Sequence, residues 1–95
     1  MEINIKAIRL EPTERLSEFI QKKVSKLGKF STDIQNIEVT LRVEKPATAN
    51  NKQVAINVSL PGESIYVEKT ADTFEEAIDQ ALPAVEKQLL RSKEK

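Results

Sequence analysis

The sequence predicts an α+β domain with the order β-α-β-β-β-α, a four-stranded sheet carrying two parallel helices on one face. Three observations lead there. Two segments repeat apolar residues at three- and four-residue steps, four others alternate apolar with polar residues, and Pro61-Gly62 places a tight-turn pair between two of the alternating runs.

Ile3, Ile5 and Ala7 alternate with polar residues and read as a first strand ending before Glu11-Pro12. Thr13 offers an N-cap. Leu16, Phe19, Ile20, Val24 and Leu27 then form the stripe of an amphipathic helix over residues 13–27, and Gly28 is expected to stop it in a left-handed conformation. Ile37, Val39, Leu41 and Val43 alternate with Glu38, Thr40, Arg42 and Glu44, and Val54, Ile56, Val58 and Leu60 do the same after a polar loop over residues 46–51. Pro61-Gly62 folds the strand of residues 63–70, with Ile65 and Val67, back as a hairpin. A last helix begins at Asp72-Thr73, where Asp72 with Glu75 or Thr73 with Glu76 makes a capping box, and buries Phe74, Ile78, Ala81, Leu82, Val85 and Leu89. Pro83 falls on its solvent side, removes the backbone bond to Asp79 and is expected to kink the helix slightly.

Polar alternation in every strand implies a sheet with one face open to water. The first helix is a crossover, so strands one and two should be parallel, and two reversals then restore that direction in strand four. Both helices therefore run the same way, and their lysine-rich C-terminal halves are expected to meet at one end of the domain.

At 95 residues the chain reads as one domain spanning residues 1–95, large enough to bury roughly 60–65% of its unfolded surface. Fifteen basic and fifteen acidic residues cancel, so attraction to a polyanion must come from local charge segregation. There is no cysteine and no histidine, which removes disulfides, thiolate metal sites and the usual proton shuttle, and argues against an enzyme or a cofactor. Neither a signal peptide nor a membrane span is legible, so a cytoplasmic protein is expected, with no membrane partner and no small-molecule substrate.

The candidate site is basic. Arg15, Lys22, Lys26 and Lys29 form one stripe bordering the apolar face of the first helix, whereas Lys23 projects into the apolar sector between Phe19 and Leu27, where a lysine must snorkel or hold a partner. On the second helix Lys87, Arg91 and Lys95 stack at four-residue steps with Lys93 round the edge. Acids early and bases late in a helix complement its dipole at about 0.3–1 kcal/mol each, which by itself explains Glu14, Glu18, Glu75, Glu76 and Asp79. Two converging basic ends exceed what helix stability requires and suit a phosphate backbone. Stacking of single-stranded bases has little support, because Phe19, Phe30 and Phe74 fit the core or its margin and Tyr66 alone faces outward.

The residues just described resemble the ribosome hibernation promoting factor family, also described as ribosome-associated translation inhibitors, over essentially the whole chain. The likeness rests on Ile3-Asn4-Ile5, on Lys23, Lys26 and Leu27 as a Lys-x-x-Lys-Leu pattern, and on Val39 to Val43 running into Glu44-Lys45. The final helix adds Ala77-Ile78-Asp79, then Glu86-Lys87-Gln88-Leu89, Arg91 and Lys93. The resemblance implies a fold related to double-stranded-RNA-binding domains and occupation of the small ribosomal subunit's decoding channel, excluding messenger and transfer RNA in starvation or stationary phase. It implies contacts to small-subunit ribosomal RNA from Lys23, Lys26, Lys87, Arg91 and Lys93; Lys22 and Lys29 join them from the basic stripe. The chain departs from the family pattern at Glu75, Pro83 and Ala84, which bears on affinity and on the pose of the second helix. Ending at Lys95, it is expected to have neither the acidic tail of one short subtype nor the dimerisation domain of the long form. Two further readings stand beside this one: a protein-interaction module using the exposed sheet edge, and a binder of free duplex RNA.

Overall fold

The computed structural model describes residues 1–44 and 51–93. Most of the expected polar loop, together with Lys45 and Lys95, lies outside the described residues. Strand β1 (Glu2–Ala7) leads to helix α1 (Glu14–Ser25), which passes into a 3-10 turn (Lys26–Lys29); strands β2 (Asn36–Val43), β3 (Lys52–Leu60) and β4 (Glu63–Ala71) and helix α2 (Phe74–Lys93) follow. The strands lie in the order β1-β2-β3-β4, β1 parallel to β2 and the other two pairs antiparallel. This is the β-α-β-β-β-α architecture the alternation predicts.

Local chemistry sets the helix boundaries. Thr13 keeps an extended backbone and its hydroxyl accepts the Leu16 N–H at 3.1 Å, satisfying one orphan donor of the first turn. At the start of α2 the Thr73 hydroxyl accepts the Glu76 N–H at 3.1 Å, as expected of a cap there. Helix α2 then continues through the exposed Pro83 to Lys93.

The left-handed stop expected at Gly28 is not there. The Lys26 N–H reaches both Lys23 O and Val24 O, the helix tightens into the 3-10 turn, and the Phe30 N–H closes on Leu27 O at 3.0 Å. Tightening satisfies the terminal carbonyls without a residue at positive φ. Gly62 does take the positive φ expected of it, at 77°, and lets Leu60 pair directly with Glu63.

The core lies between the sheet and the helices. Ile37, Val39, Leu41, Val54, Ile56 and Val58 are fully buried on the inner sheet face beneath Ile20, Val24 and Leu27 of the first helical segment and Ala77, Ile78, Ala81 and Val85 of α2. Each large aliphatic among them contributes about 1.5–3 kcal/mol of hydrophobic stabilisation. Cover thins toward β1, where Ile3 and Ile5 are only half-buried, and Phe19, Phe30 and Phe74 pack at the core's margin. The opposite sheet face is open, with Asn4, Lys6, Glu38, Arg42, Tyr66 and Glu68 exposed.

Candidate nucleic-acid interface

Because β1 and β4 point the same way and each helix returns across the sheet, the helices run in a common direction. At the far end of α2 the Ser92 hydroxyl donates to the Glu63 carboxylate, tying the helix terminus to the start of β4. Lys22, Lys26, Lys29, Lys87 and Arg91 are exposed on the helical layer, Lys23 is half-buried, and the Lys93 side chain lies outside what the structure describes.

The expectation that the lysine-rich halves meet at one end of the domain fails for Lys23. Lys23, near the end of α1, lies 3.7 Å from the Asp79 carboxylate in the second turn of α2, and its ammonium sits 5.5 Å from the centre of the Phe19 ring. Lys87 and Arg91 follow Asp79 by eight and twelve residues, about 12 and 18 Å further along the axis at the helical rise. Lys23 is therefore a bridge between the helices, answering the demand for a partner that its place in the apolar sector creates, and it does not stand beside the α2 terminus.

The 3-10 turn continues the first helical segment beyond Lys23. Its Lys26 and Lys29 are three apart, the spacing that eclipses side chains in this geometry. The segment after it reaches the terminus of α2, for Ser31 and Asp33 line one depression with Leu60, Leu89 and Ser92. Arg91 lines the neighbouring depression with Glu63, Gln88 and Ser92. The candidate interface is thus carried by separate elements, Lys22 by α1, Lys26 and Lys29 by the 3-10 turn, and Lys87 and Arg91 by α2. Sequence reasoning missed two acids in it. Asp79 was legible as a helix-dipole residue and as part of the Ala77-Ile78-Asp79 element, not as the partner of Lys23, and Glu63, which shares a depression with Arg91, could be seen only once strand and helix were paired.

On the open sheet face Glu68 accepts from the Tyr66 hydroxyl at 2.7 Å and from Gln53 Nε2 at 2.9 Å. The hydrogen bond to Glu68, some desolvation and the carboxylate's charge raise the Tyr66 pKa above its ordinary 10.0, against a lowering pull from Arg42. A single ring tied to a carboxylate is not a stacking platform for bases. Among the described residues no group of three or more acidic side chains is placed to hold a metal ion, and none of the helices is long and apolar enough to cross a membrane.

Residues 3–95 match the sequence profile of the family described as Sigma 54 modulation protein / S30EA ribosomal protein. The chain belongs to this family. Its relatives include proteins named ribosome hibernation promoting factor from Salmonella typhimurium and Escherichia coli, each 30% identical over 95 residues, covering 100% of this chain and 96% of the relative. Among solved structures, a ribosomal subunit interface protein from Coxiella burnetii superposes with a TM-score of 0.85 at 26% identity over 100% of both chains. The N-terminal domain of Protein Y from Thermus thermophilus does so at 0.79 and 27% identity, over 96% of this chain and 98% of that one. Both solved structures thus share this fold over nearly the whole chain.

Proposed function

We propose that this protein binds the small ribosomal subunit in the channel used by messenger and transfer RNA, and silences translation in the cytoplasm during starvation or stationary phase. Membership of the hibernation factor family over residues 3–95 carries the reading. The exposure of Lys22, Lys26, Lys29, Lys87 and Arg91 on the helical layer supports it, because several separate cations suit an RNA backbone better than a small anion. Lys23 and Lys93 complete the proposed contact set. The protein acts by occupancy and performs no reaction; its affinity is electrostatic and its specificity comes from fitting the shape of the channel.

An order-of-addition experiment tests this. Protein added before initiator transfer RNA suppresses initiation, whereas preformed initiation complexes resist it. Equal inhibition in both orders, with transfer RNA still bound, would move the binding site elsewhere. If the protein instead bound free duplex RNA as tightly as small subunits, recognition of the channel would be the wrong explanation.

A further inference from the structure

Among the described residues the outer edge of β1 is unpaired, and it carries a self-complementary pattern. The Glu2 N–H bonds to Gln35 O at 3.4 Å and the Ile8 N–H to Leu41 O at 3.0 Å, so the even-numbered residues of β1 turn their backbone groups toward β2. By strand alternation Ile3, Ile5 and Ala7 turn theirs outward to the free edge. The side chains alternate in the other dimension. Glu2, Asn4 and Lys6 are exposed, whereas Ile3 and Ile5 face the helical layer and stay half-buried.

We propose that β1 is a homodimerisation edge, pairing antiparallel with β1 of a second copy of this chain about a twofold axis through Asn4. In that register Ile3 faces Ile5 of the second copy and the two exchange both backbone hydrogen bonds. Asn4 faces its own equivalent, and Glu2 faces Lys6 of the second copy on both sides of the axis. The Glu2–Lys6 contacts fall in non-hydrogen-bonded pairs, where side chains approach most closely. Charge chooses this register over its neighbours. Centring on Lys6 would oppose two lysines, and centring on Ile3 or Ile5 would leave both charges without a partner.

The other edge is guarded. In β4, Lys69 stands opposite Val54, on the helix side of the sheet, and is exposed; an inward-pointing charge of this kind blocks strand addition. The inner side of β1 is apolar throughout at Ile3, Ile5 and Ala7, and a second copy would cover what the helices leave half-exposed. A pairing of six-residue strands buries less than the ~1,200 Å² of a stable complex, so the dimer is weak and concentration-dependent. It requires nothing of the ribosome reading.

Sedimentation of the full chain from micromolar to millimolar concentration, at low salt, tests the pairing. Wild type should shift from monomer toward dimer as concentration rises. Glu2→Lys and Lys6→Glu each turn two attractive contacts into repulsive ones and should weaken the dimer by about tenfold or more. An equimolar mixture of the two, and the double variant, should both associate like wild type. The chain has no cysteine, so Asn4→Cys should form a disulfide dimer on mild oxidation. Glu2→Cys and Lys6→Cys, each about 13 Å from its own equivalent, should not. A wild type that stays monomeric throughout, single charge variants that associate as wild type does, a mixture that fails to recover, or equal cross-linking of all three cysteine variants would each overturn the proposal.

Discussion

Replacing Asp79 by asparagine separates the two roles that Lys23 holds. The Lys23–Asp79 pair is 3.7 Å apart with side chains 35% and 56% exposed, so solvent screens it and it contributes between nothing and about 1 kcal/mol to folding. Asparagine keeps the shape and leaves Lys23 its contact with Phe19, worth about 0.5–1 kcal/mol at an exposed site. Asp79→Asn should therefore lower the melting temperature by no more than about 4–8 °C in a domain of this size. Its effect on ribosome binding has the opposite sign. The ammonium no longer divides its attraction between Asp79 and a phosphate, so affinity at low salt should rise by up to about fivefold, the equivalent of 1 kcal/mol. The slope of log affinity against log salt should steepen by about 0.7–0.9, that of one added phosphate contact. Co-sedimentation with small ribosomal subunits across a salt series, with circular dichroism to verify folding, measures both quantities. A well-folded Asp79→Asn that binds more weakly would show that the pair orients Lys23 for the RNA instead of competing with it. An unchanged slope would mean that Lys23 touches no phosphate.

Three further predictions test separate parts of the structure. Lys26→Glu and Arg91→Glu, both exposed on the helical layer, should each release the protein from small subunits without unfolding it, whereas Arg15→Glu, at the start of α1, should do much less; equal damage from all three would reduce the interface to general charge. Tyr66 is the single tyrosine in a chain without tryptophan, so an ultraviolet titration reads it alone; its midpoint should lie above 10.0 and fall back toward that value in Glu68→Gln. The raised folded-state value also means that any stability this bond contributes is present below the unfolded pKa and lost as pH climbs through the folded one. Gly62→Ala forces a Cβ into φ 77° with open space around it, so chemical denaturation should show a loss of about 1–2 kcal/mol from backbone strain alone.

How much was legible depended on the range of the interaction. Strand and helix identities could be read because Ile37, Val39 and Leu41 alternate and Leu16, Ile20 and Val24 step by a turn, and such periodicities follow from the geometry of a single element. The Thr13 cap and the Gly62 turn were equally readable, each being decided within three residues of chain. Gly28 misled for the same local reason. Glycine after an apolar stripe usually signals a left-handed stop, but here the 3-10 turn had already satisfied the carbonyls through Lys26 and Phe30.

The basic residues of the candidate interface were all visible in the sequence, and their distribution across it was not. Charge position on a helix is a matter of spacing, so Lys22, Lys26, Lys87 and Arg91 could be named in advance. Helix topology could also be deduced, from the crossover and the two reversals. Which turn of α1 lies against which turn of α2 depends on how far each helix slides as its apolar side chains fit the sheet, and no local pattern encodes that. By itself the sequence determined the elements, their order, the shared direction of the helices and the resemblance to a ribosome-associated family, all set by contacts within an element or by the handedness of its connections. Only the tertiary structure decided that Lys23 is held by Asp79, that the segment after the 3-10 turn meets the terminus of α2, and that Lys69 stands exposed on the helix side of β4. Each of these depends on the side-by-side placement of groups far apart in the chain, which packing settles after local propensity has done its part.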